Sequence, residues 1–62
     1  MKDVFEVIQM LRRFGTYVYT GDRESDLHLL MTELKDLYEM GMIEQKDYLH
    51  ASLLLKNEIS RL

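Results

Sequence analysis

The chain has 62 residues and a mass of 7.4 kDa; 47% of its side chains are hydrophobic, 31% are charged, and the formal net charge is −3. A chain of this size has room for one domain, residues 1–62, expected to bury about 60% of the surface it exposes when unfolded, and its composition excludes the disordered, collagen-like and membrane classes. No stretch of more than eight residues lacks an Asp, Glu, Lys or Arg, against about 20 apolar residues for a bilayer span, and Asp3 and Glu6 interrupt the start where a signal peptide would be positive and then apolar. No membrane partner and a cytoplasmic location are expected.

Val4, Val7, Ile8, Leu11 and Phe14 fall on one stripe at about 100° per residue, which predicts an amphipathic helix over about 4–14. Asp3 followed by Glu6 forms a capping box at its start, and Gly15 is a natural stop. From Gly15 to Gly21 the pattern changes to Thr16, Tyr17, Val18, Tyr19 and Thr20, β-branched and aromatic residues bounded by glycines. With no partner strand elsewhere in the sequence, this piece is predicted as an extended, ordered loop crossing the end of a bundle. Leu27, Leu30, Met31, Leu34, Leu37 and Tyr38 make a second stripe, predicting a helix over about 23–40 with Asp22 or Ser25 as N-cap and Gly41 as the stop. Tyr48, Ala51, Ser52, Leu55, Ile59 and Leu62 make a third, over about 45–61. Proline is absent, so nothing interrupts these helices, and the short connection at Gly41 makes the second and third antiparallel neighbours. The expected fold is all-α, a single three-helix bundle.

The charge is unevenly spread. Residues 1–23 hold four basic and three acidic side chains, net +1, whereas residues 24–62 hold four basic and eight acidic, net −4. Arg12, Arg13 and Arg23 bracket Tyr17 and Tyr19, which fall on one side of an extended segment because strand-like side chains alternate. Arginine interleaved with tyrosine suits single-stranded DNA or RNA, since an unpaired base offers a flat face to stack and its phosphate needs a cation. Lys2, on the same outer face of the first helix as Arg13, would extend the patch. Each part has a plainer reading: Arg12 and Arg13 complement the dipole of the first helix, the tyrosines roof the bundle, and Arg23 pairs with a neighbouring acid. The net charge also opposes a protein built mainly to grip phosphate. The start of the second helix is no better an anion site, because Asp22, Glu24 and Asp26 would repel phosphate.

No catalytic constellation is present, and no enzyme, cofactor or metal is expected. Cysteine is absent, which excludes disulfides and cysteine-ligated zinc, and the two histidines, His28 beside Glu24 and His50 near Asp47, lack a second ligand at metal-binding spacing. No serine or threonine sits in a nucleophile motif. Asp26, Glu33, Asp36 and Glu39 read as a solvated face of the second helix. Apolar side chains off the main stripes, Leu49, Leu53 and Leu54 on the third helix and Leu29 and Met40 on the second, have two readings. Either the third helix wedges between its neighbours and buries two sides, or the chain presents a surface to itself or another protein.

The segment Phe14-Gly15-Thr16-Tyr17-Val18-Tyr19-Thr20-Gly21-Asp22-Arg23, followed by Leu34-Lys35-Asp36-Leu37-Tyr38 and by Asp47-Tyr48 before a leucine-rich last helix, resembles the YqgQ-like family of small proteins from Bacillus-related bacteria. The resemblance covers nearly the whole chain. It implies a cytoplasmic three-helix protein and single-stranded nucleic-acid binding, which in this sequence would fall on Arg12, Arg13, Tyr17, Tyr19 and Arg23. The alternative function is a protein-interaction or self-association module using apolar surface of the second and third helices.

Overall fold

In the computed structural model, which describes residues 1–62, the chain forms three helices: α1 Val4–Arg13, α2 Arg23–Glu39 and α3 Gln45–Ser60. Each stops one residue short of its predicted limit because Phe14, Met40 and Arg61 are C-cap residues, half in and half out of the helix. At the start of α1 the Asp3 carboxylate accepts the Glu6 N–H at 3.0 Å. Glu6 reaches back to accept the Lys2 N–H, one residue earlier than a standard capping box would place it. Of the two candidate caps for α2, Asp22 fills the role, accepting the Ser25 N–H at 2.9 Å. The ends of α1 and α2 share one device. Gly15 (φ +87°) donates to the Arg12 carbonyl while Thr16 donates to Leu11; Gly41 (φ +76°) donates to Tyr38 while Met42 donates to Leu37. These are Schellman closures, and both need a residue in the left-handed region.

The helices pack with α2 and α3 as the most extensive pair and α1 set chiefly against α3. Met10, Arg13 and Phe14 lie by residues 42–47 at the α2–α3 turn, whereas Val4, Phe5 and Ile8 lie by Arg23 and Glu58 at the opposite end. Thus α1 runs parallel to α2 and antiparallel to α3. The loop expected to cross the bundle end instead runs back along its side. Parallel α1 and α2 oblige the chain to return over the length of α1, about 15 Å for ten residues. The seven residues Gly15–Gly21, about 23 Å when extended, cover that distance with some to spare.

The core is Val4, Val7, Met10 and Leu11 of α1, Leu27, Leu30, Leu34 and Leu37 of α2, and Ala51 and Leu55 of α3. Met10 is buried where the sequence stripe would have placed Phe14, because Phe14, as the C-cap, has left helical geometry. Ile8, Met31, Tyr48, Leu54 and Ile59 pack partly buried around this centre, as does Val18 from the loop. Leu62 lies past the end of α3 and is exposed. Leu49 and Leu53 also stay exposed, so α3 does not bury a second side and the wedge reading fails for them. Near the α2–α3 turn Tyr38 and Tyr48 stack with ring centroids 4.2 Å apart and planes 3° from parallel, a contact that the sequence stripes contain but do not reveal.

Candidate functional site

The extended segment positions the candidate site. Its side chains alternate, with Thr16 and Val18 half-buried and Tyr17 and Tyr19 turned outward, 73% and 88% exposed. Val18, not the tyrosines, therefore roofs the core. The segment is tied at both ends: Thr16 by its bond to Leu11, and Thr20 by Asp26 of α2, whose carboxylate accepts both the Thr20 N–H at 2.7 Å and the Thr20 hydroxyl at 2.6 Å. Thr20 Oγ1 in turn accepts the Asp22 N–H at 3.2 Å. Asp26 is half-buried, and its contact with Thr20 removes it from the solvated acidic face to which its spacing assigned it.

The five site residues do not form one patch. The Arg12 guanidinium lies 5.8 Å from the centroid of the Tyr17 ring, within cation–π reach, and Tyr19 stands two residues further along the same outward side. Arg13 lines a cleft of about 400 Å³ with Met10, Phe14, Met42, Ile43, Glu44 and Asp47, and two carboxylates against one guanidinium leave that cleft acidic. Arg23 is at the opposite end of the molecule from Arg13, four residues along the chain from Tyr19, with its guanidinium 3.1 Å from the Glu58 carboxylate. Glu58 also receives Arg61 and helps line a second cleft of about 270 Å³ with Asp3, Val4, Phe5 and Ile8. The plainer reading of Arg23, an ion pair with a neighbouring acid, is the one observed. Chain order had grouped Arg23 with the tyrosines because Glu58 is 35 residues away, beyond any local pattern.

The structure brings no metal-binding group together. His28 approaches Glu24 at 4.0 Å, as the one-turn spacing suggests, and His50 is exposed. Asp22 is the one group with a clear electrostatic perturbation: the Ser25 backbone N–H, and then the Ser25 hydroxyl, hold its carboxyl below the ordinary carboxylate value. That is a helix-cap effect and not a mark of catalysis. No helix is long and apolar enough to cross a membrane.

The family model described as YqgQ-like matches residues 1–61. The chain is 38% identical over 61 residues to "Uncharacterized protein YqgQ" of Bacillus subtilis (strain 168), an alignment covering 98% of this chain and 86% of that protein. Through a match that runs from Met1 across all three helices and the tyrosine-bearing segment, the chain belongs to the YqgQ-like family.

Proposed function

We propose that this protein is a small, non-enzymatic, cytoplasmic module that binds single-stranded DNA or RNA through Arg12, Tyr17 and Tyr19, without a cofactor. The observation that carries this reading is the outward exposure of Tyr17 and Tyr19 on one side of a segment pinned at both ends, beside the Arg12 guanidinium. Two accessible rings offer stacking platforms for successive unpaired bases, and a neighbouring guanidinium supplies charge for the phosphate between them. Pinning lowers the ordering cost of binding. Arg13 is a secondary contact because Glu44 and Asp47 share its cleft, and Arg23 is one because Glu58 already engages its guanidinium. With one principal cation and a net charge of −3, binding should be weak and favoured by low salt.

The test is fluorescence anisotropy of a labelled single-stranded oligonucleotide titrated at several salt concentrations, with an acidic three-helix protein as control. Arg12→Ala should weaken binding and reduce the salt slope by about 1. Tyr19→Ala should weaken it about tenfold and leave the slope unchanged, since stacking carries no counterion term. Arg23→Ala should have little effect. Absence of binding at low salt, or equal binding by a Tyr17→Ala/Tyr19→Ala variant, would sink the proposal.

A second reading, a protein-interaction module, is favoured by a separate observation. Leu49 and Leu53, one turn apart on α3, are each 57% exposed and covered by nothing within the chain.

A further inference from the structure

The outer faces of α2 and α3 carry opposite charge around exposed apolar side chains. At 100° per residue, Lys46, His50 and Lys56 share the outer face of α3 with Leu49 and Leu53, and all five are exposed. That face holds no carboxylate. Both acids of α3 lie on the side toward α1, Asp47 lining the cleft with Arg13 and Glu58 engaged by Arg23 and Arg61. On α2 the exposed Leu29 and Met40 share a face with Glu33 and Asp36 and with no basic residue; Arg23 is turned to Glu58, and Lys35 falls outside the face.

We infer that these two faces pair between copies of this chain, α3 of one copy against α2 of the next. The inference rests on the second reading above and narrows it to one occupant, a second copy. The register is physically reasonable. With Leu49 and Leu53 seated over Leu29, one lysine lies about 7 Å along the axis, level with Glu33 and Asp36, which stand about 6 and 10 Å from Leu29 at 1.5 Å per residue. Apolar contact supplies the attraction and the lysine–carboxylate pairs fix partner and register, because like faces would set charge against like charge. A copy that donates its α3 face still offers its α2 face, which either returns to the same partner across a twofold axis and closes a dimer or takes a third copy.

Sedimentation velocity of the purified chain from about 10 µM to about 1 mM, at low and raised salt, tests this. The weight-average mass of the wild type should rise with concentration from the 7.4 kDa of one chain toward at least twice that, and fall when salt is raised. Leu53→Glu and Leu29→Glu, both at exposed positions and checked for helicity by circular dichroism, should each stay at the mass of one chain. Their equimolar mixture retains one intact α3 face and one intact α2 face and should form a two-chain species and nothing larger. A wild type of one-chain mass throughout, or a mixture no heavier than its components, overturns the inference. An arm with an amphipathic helical peptide of leucine and glutamate separates it from the broader reading. A monomeric wild type that binds the peptide, with binding lost in Leu53→Glu, overturns self-pairing and keeps α3 as a partner surface; a wild type that neither associates nor binds the peptide overturns both.

Discussion

Ser52 is the buried polar side chain with no hydrogen-bond partner for its hydroxyl. It sits among the core-facing positions of α3, where it leaves water without gaining a bond, and serine is also a poorer helix former than alanine. Ser52→Ala should therefore stabilise the fold by about 1 kcal/mol, raising the melting temperature by about 4–8 °C for a domain of this size, as measured by thermal unfolding. Asp22 gives a prediction with a defined sign. Its carboxyl is held below its unfolded value by bonds from Ser25, so its contribution is present above the unfolded pKa of about 3.9 and is lost as pH falls from there through the lower folded value. Urea midpoints of the wild type and Asp22→Ala should differ at neutral pH and draw together in that acid window. The cap itself was legible from sequence as one of two candidates, since aspartate before a helical run is a local signal. The role of Asp26 was not: its partner Thr20 is a loop residue six positions away, and helical spacing alone puts Asp26 on the outside.

At the scale of elements, local chemistry accounts for where each helix ends. Gly15 and Gly41 adopt positive φ and close α1 and α2 by the same pair of backbone bonds. The extended segment between α1 and α2 owes its order to tertiary ties, chiefly the clasp of Thr20 by Asp26 and the docking of Val18. Asp26→Ala should release the Thr20 amide, seen as faster hydrogen exchange there with helical amides of α2 and α3 protected as before. If Tyr17 and Tyr19 bind bases, the same variant should weaken oligonucleotide binding without removing any contacting residue, because the rings would lose their fixed spacing. The pairing of α2 with α3 followed from their short connection. The direction of α1 did not, since a seven-residue linker permits either orientation and packing against α3 selects one.

For the molecule as a whole, 62 residues and extents of 29 × 20 × 17 Å leave a core of ten buried hydrophobic residues and no disulfide to reinforce it. A core of this size supplies no more than about 3–5 kcal/mol of net stability. Leu34→Ala, at a fully buried central position, should cost about 2–5 kcal/mol, most of that stability, and leave a substantial unfolded fraction at 25 °C by circular dichroism. Exposed Leu53→Glu should leave the fold intact, which is what makes it a clean probe of association. The sequence by itself determined the three helices, their limits to within a residue, the pairing of α2 with α3 and the family, because periodicity, caps and glycine stops are local properties of the chain. Only the tertiary structure decided which arginines stand beside the tyrosines and which leucines stay outside. Those outcomes depend on the path of the extended segment along the bundle and on partners far apart in sequence, such as Arg23 and Glu58, which no local pattern encodes.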